Sequence, residues 1–132
     1  MIFFLLLFVL ILIYKNHKME NWVNKVELKG NVGFDPKLIS LEDGGTFIRF
    51  SLATNETFKN RKGELQEETV WHNIVAWNGK NVPDFSQIKK GSYLHVTGRI
   101  KPVQYQTKSG AEKHTYEIIA VSIKLLDREN RE

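Results

Sequence analysis

The chain has 132 residues, enough for one domain and marginal for two, and its 42% hydrophobic and 26% charged content is that of a folded globular protein, which excludes wholesale disorder. It contains no cysteine, which excludes disulfides, thiolate-bound zinc and thiol catalysis. The formal net charge is only +4, but residues 44–113 carry 11 Lys and Arg against 6 Asp and Glu, a lean compatible with a polyanionic partner.

Ile2 to Tyr14 is an unbroken apolar run of thirteen residues, followed by Lys15, His17 and Lys18. A membrane-spanning helix needs about 20 apolar residues. A secretory signal needs positive charge before its apolar stretch and small residues at a cleavage site. The run meets neither requirement. Met19 opens M-E-N-W-V-N-K-V, and the preferred reading is that translation starts there, with residues 1–18 an upstream apolar extension. No membrane partner is expected, and the expected location is cytoplasmic.

From Met19 the pattern is one of strands. Val26, Leu28, Gly30 and Val32 alternate with polar residues, as in a half-buried strand. Phe34-Asp35-Pro36 makes a bend, Lys37 to Leu41 reads as a short strand, and Asp43-Gly44-Gly45 reads as a hairpin turn because glycine tolerates positive φ. Thr46 to Thr54 is a second main strand, with Ile48, Phe50 and Leu52 on one face and Arg49, Ser51 and Ala53 on the other. Asn55 to Glu68 is polar and reads as a long hairpin loop with Phe58 at its edge.

The third main strand begins T-V-W-H-N-I-V-A-W. Strand side chains alternate between faces, so Trp71, Asn73, Val75 and Trp77 point one way and His72, Ile74 and Ala76 the other. Taken alone, this strand leaves the indoles open between core and surface. Val82-Pro83-Asp84 starts a predicted short helix, with Pro83 early in it and Phe85 and Ile88 inward, closed by Lys89-Lys90-Gly91. Leu94, Val96, Gly98 and Ile100 mark a fourth strand, in which Gly98 suggests a bend or a close backbone approach. Gln104 to Lys113 reads as a polar loop. His114 to Leu126 is a last strand too apolar for simple alternation, expected to be buried partly on both faces.

Five main strands, with one short helix between the third and fourth, make an all-β chain. They match the OB-fold, a Greek-key barrel that binds oligonucleotides; the other all-β solution is a small open sandwich. The aromatics Phe58, Trp71, Trp77 and Tyr105 lie on loops or on outward strand positions among basic residues. Bases stack on such platforms, and Lys59, Arg61, Lys62, Lys80, Lys89, Lys90, Arg99 and Lys101 are candidate phosphate contacts, with Asn73 between the indoles. Any one aromatic is ordinarily packing and any one lysine a solvated face; their interleaving is what points to nucleic acid. The histidines His17, His72, His95 and His114 show no metal spacing, and no nucleophile motif or phosphate-cradling loop occurs. No enzyme, metal or cofactor is expected.

The same residues resemble the bacterial single-stranded DNA-binding protein family. Val23 to Pro36 reads V-N-K-V-E-L-K-G-N-V-G-F-D-P, and Gly44-Gly45, Phe50 to Glu56, Thr69 to His72, Gly79-Lys80, Lys90-Gly91-Ser92 and Val96 to Ile100 follow in the family's order. The resemblance covers about residues 21–126. It implies a sequence-tolerant binder that protects single strands in replication, recombination or repair, with Phe58, Trp71, Trp77 and Tyr105 as stacking aromatics. It also implies a homotetramer, with His72 at the subunit interface. Asn78 is an additional residue between Trp77 and Gly79. The end, Asp127 to Glu132, lacks the linker and acidic tip closing on Pro-Phe that members usually carry, so recruitment of replication or repair enzymes is not carried over. The expected organisation is a binding domain over 19–127 and a short charged end over 128–132. The competing expectation is a protein-interaction OB module similar to the primosomal replication protein.

Overall fold

The computed structural model describes residues 2–19 and 21–127; the charged end expected at 128–132 lies outside them. A helix α1 (Ile2–Met19) precedes six strands: β1 (Val26–Val32), β2 (Lys37–Ser40), β3 (Thr46–Lys59), β4 (Leu65–Trp77), β5 (Tyr93–Gln106) and β6 (Glu112–Leu125). Along α1 the apolar side chains from Ile2 to Ile13 are exposed. No helix among the described residues is long and apolar enough to cross a membrane.

The strand order is β1-β5-β6-β4-β3, closed by a β1–β3 pairing at Asn31↔Ala53 and Val32↔Leu52. The five long strands thus form a closed OB-fold barrel, with β2 added outside β3. The inward row follows the sequence pattern: Ile48, Phe50 and Leu52 on β3, Ile74 and Ala76 on β4, and Leu94 and Val96 on β5 are all buried. Val32, Ile118, Ala120 and Ile123 complete the core. Two glycines permit closure. A Cβ on Gly30 would lie 2.2 Å from Ala53 O, and one on Gly98 would lie 2.2 Å from Ile119 O.

β6 breaks alternation for a definite reason. Opposite Thr97/Gly98 the register skips Val121, which is left unpaired and exposed. A bulge of this kind shifts every later residue to the other face. Ile118 and Ala120 are therefore inward before it, and Ile123 is inward after it.

Three sequence expectations need correction. The segment 55–68 is mostly strand: β3 and β4 pair through Lys59↔Leu65, leaving a turn over residues 60–64. The segment 104–113 shrinks likewise to residues 107–111. Both arms project beyond the barrel, so both faces meet water and no apolar alternation marks them, while the backbone still pairs across the arm. The predicted helix is a single 3-10 turn, Phe85–Gln87, whose N-cap is Asp84; Pro83 stands outside it. Ile88 is buried as expected and Phe85 packs on the core.

Candidate nucleic-acid interface

The outward row of β3 pairs with that of β4 as Phe47↔Trp77, Arg49↔Val75, Ser51↔Asn73 and Ala53↔Trp71. β6 continues the face beside β4 through Val75↔Ile119. β5 continues it again through Arg99↔Ile119, Lys101↔Glu117, Val103↔Thr115 and Tyr105↔Lys113. One curved surface therefore carries Trp71, Asn73, Trp77, Arg99, Lys101 and Tyr105. Trp71 is 55% exposed, Trp77 46% and Tyr105 50%. The indoles are surface groups, because Ile74 and Ala76 between them already fill the barrel side.

Each indole is seated against a turn. Trp71 stacks on Phe34, with centroids 6.0 Å apart and planes inclined by 27°. It also covers Gly33, where a Cβ would fall 2.1 Å from its Cζ3. Only a residue without a side chain lets the β1–β2 bend pass beneath the ring. Trp77 leans on Phe47 at 4.9 Å and approaches Gly45 of the β2–β3 turn. Between these seats a groove of about 410 Å³ runs from Phe34 to Tyr105, lined also by Lys37, Arg49, Ser51, Asn73 and Glu117. Arg49 Nε lies 3.3 Å from Glu117 Oε2, and the guanidinium stands 5.7 Å over the Phe47 ring.

Residues 23–126 match the model of the single-strand binding protein family. The chain belongs to that family. It is 37% identical over 108 residues to the single-stranded DNA-binding protein of Neisseria meningitidis serogroup A, covering 82% of this chain and 62% of that protein. It is 39% identical over 110 residues to single-stranded DNA-binding protein 1 of Chlorobaculum tepidum, covering 82% of this chain and 67% of that protein. The chain thus spans about three fifths of the meningococcal relative's length. Among solved structures, the Plasmodium falciparum SSB complex with ssDNA superposes with a TM-score of 0.68 at 31% identity, over 82% of this chain and 98% of that one. A deletion mutant of the Thermus aquaticus single-stranded DNA binding protein superposes with a TM-score of 0.68 at 21% identity, over 83% of this chain and 53% of that one, a likeness of fold.

The other residues singled out by sequence are placed unevenly on this family's barrel. Phe58, 48% exposed, pairs with Gln66 on β4. It shares parity with Phe50 and Leu52, so it projects from the face of the β3–β4 arm opposite to Trp71. Lys59 ends β3, and Arg61 and Lys62 sit in the arm's turn. That turn is held by Asn60 Oδ1, which accepts from Lys62 N and Glu64 N at 2.9 Å each. Lys80 lines a separate depression with Lys124. Lys89 and Lys90 follow the 3-10 turn, beside Gly91, whose N–H donates to Val32 O. These three lysines do not line the groove. Asn78 falls just beyond the last residue of β4, and its N–H donates to Thr46 O, so the additional residue leaves Trp77 in register opposite Phe47.

His72 takes the inward parity but is only half-buried at the barrel rim. Its Nε2 lies 2.9 Å from Thr54 Oγ1 in a hydrogen bond. Burial lowers its pKa below the usual 6.5, partly opposed by the charge of Glu56. Phe34, Arg49 and Glu117 are among the groove residues that sequence reasoning missed, as is Phe47, which packs against Trp77 and Arg49. Arg49 carried a usable signal, since its outward parity was legible. Glu117 carried none, because its neighbours are set by the β4–β6 pairing.

Proposed function

We propose that this chain binds single-stranded DNA with little sequence preference and does so without catalysis, protecting exposed strands in replication, recombination or repair. The observation that carries the reading is the pair of half-exposed indoles, Trp71 and Trp77, on one face of β4 across a groove walled by Phe34 and Tyr105. Bases stack on such rings whatever their identity, the mechanism general to single-strand-binding OB-folds. Arg99 and Lys101 beside the groove, and Lys59, Arg61 and Lys62 on the β3–β4 arm, supply charge for phosphates. Lys80, Lys89 and Lys90 would meet only a strand that leaves the groove. The binding domain spans residues 19–127, the assembly is a homotetramer with His72 near a subunit contact, and the site of action is the cytoplasm.

Titration with oligo-dT tests the reading. Tryptophan fluorescence should be quenched on binding, and affinity should fall as salt rises, by about 0.7 in the logarithmic slope for each phosphate neutralised. Equal affinity for duplex and single strand would overturn it, and binding to neither would favour a protein-interaction module. Light scattering of the free and bound protein gives the assembly.

A further inference from the structure

The groove between Phe34 and Tyr105 carries an acid where a phosphate chain has to pass. Trp71 and Trp77 are six residues apart on β4, and bases stacked on them would be about 20 Å apart. The backbone joining those bases crosses the level of Arg49, which pairs with Val75 between the two rings. Arg49 is suited to meet it. A guanidinium is a rigid fork that can grip a phosphate through two N–H groups at once, and this side chain is 51% exposed. The Phe47 ring, 5.7 Å from the guanidinium carbon, supports it on the groove wall. Yet Glu117 Oε2 lies 3.3 Å from Arg49 Nε. The Glu117 side chain is only 15% exposed, so salt screens its charge less than that of a surface acid. It also stands opposite Lys101 in register, between a cation on β3 and one on β5. Stacking gains nothing from a carboxylate in that place, and a polyanion is repelled by one.

We propose that Glu117 masks Arg49: the ion pair withholds one phosphate contact from the groove, and the strand is held there with one cation fewer than the groove carries. The proposal rests on the single-strand binding reading above. A phosphate reaching Arg49 competes with a carboxylate already in place, and both anions offer the guanidinium the same kind of partner. The carboxylate is carried by a paired strand and is ordered before binding. The phosphate belongs to a flexible chain that loses freedom on being fixed, which favours the carboxylate further. The pair therefore lowers affinity at this level of the groove and removes one phosphate from the counterion release that accompanies binding. Glu117 thus sets how tightly the groove holds a strand without reading its bases.

The test measures oligo-dT affinity and its salt slope on the full chain, on Glu117→Gln and on the double variant Glu117→Gln/Arg49→Gln. Glu117→Gln should bind roughly two- to fivefold more tightly, the scale of one exposed ion pair. Its logarithmic salt slope should be steeper by about 0.7, which is one further phosphate neutralised. The double variant should lose both gains. Glu27→Gln, which removes the same charge from an acid paired with His95 outside the groove, should show neither. A Glu117→Gln protein that binds no more tightly than the full chain overturns the proposal. One that binds more weakly makes Glu117 a seat for Arg49, which also overturns it. So does a double variant that keeps the gains, or a Glu27→Gln protein that shares them. Should Glu117→Gln not fold, Arg49→Gln decides. Its affinity should fall, with Glu117 left unpaired beside the strand, while its slope stays that of the full chain. A slope shallower by about 0.7 would mean that Arg49 already neutralises a phosphate, and sinks the proposal. A full chain that binds no oligo-dT overturns the single-strand reading itself, an outcome distinct from any of these.

Discussion

Replacing Gly33 by Ala separates the position of Trp71 from its mere presence. A Cβ there would fall 2.1 Å from Cζ3 and 2.7 Å from Cη2 of the indole, and 3.0 Å from Ser51 Oγ. Moving Cζ3 from 2.1 Å out to the 3.4 Å of ordinary contact is a shift of about 1.3 Å. The ring yields before the turn does, since Trp71 is 55% exposed while Gly33 N donates to Ser51 O at 3.0 Å. The shift tilts the indole off Phe34 and re-aims its free face. A base on an aromatic contributes about 1–3 kcal/mol, and losing part of one platform should cost about 1 kcal/mol, roughly fivefold in affinity. Oligo-dT titration followed by tryptophan quenching measures it, with Gly79→Ala as control, because the nearest atom there is Trp77 O at 4.0 Å. The melting midpoint should move little. A folded Gly33→Ala protein with wild-type affinity and quenching would refute the claim that this seat aims a platform.

Trp71→Ala and Trp77→Ala should each lower oligo-dT affinity by about 1–3 kcal/mol with a near-normal melt, since neither ring is core; full affinity in a folded variant removes that ring from the site. Phe58→Ala should weaken long oligonucleotides and spare short ones, because Gln66, its partner on β4, lies five residues from Trp71, about 17 Å along the strand. Equal losses at every length would contradict that spacing. Gly98→Ala should destabilise the barrel by about 1–3 kcal/mol, since its Cβ meets the backbone of Ile119 and Ala120 and no side chain can swing aside; an unchanged urea midpoint would be the contrary result. His72 has a folded pKa lowered by burial, so below about pH 6.5 the unfolded chain binds more protons than the folded one and stability falls with pH. His72→Gln should flatten that part of the pH–stability curve, and an unaltered curve would assign the slope to other groups.

What was legible in the sequence follows from what produces a periodic signal. The barrel segments of β1, β3, β4 and β5 bury one face, so their alternation located Ile48, Ile74 and Val96 in the core and Trp71 and Trp77 outside it. The arms bury neither face. Residues 55–59 and 65–68 therefore looked like loop, and Phe58 was assigned to a loop although it has a definite strand parity, opposite to that of Trp71. On β6 the apolar run was visible but its cause was not. Only pairing with Gly98 reveals that Val121 is skipped and that Ile123 changes face.

The groove shows the same limit more sharply. Its wall and floor come from β1–β2, β3, β4, β5 and β6, and no single strand carries enough of it to be read. Phe34 is one aromatic in a bend, Arg49 one cation on a strand, Glu117 one acid in an apolar run. Closure of the barrel brings the bend over Trp71, and the parallel contact of β4 with β6 brings Glu117 to within 3.3 Å of Arg49. Both depend on tight backbone approach at Gly30 and Gly98. A substitution at either glycine should therefore disturb the groove chemistry along with stability. Platforms that belong to a single strand, such as Trp71 and Trp77, should keep their order along it even when the floor between them is lost.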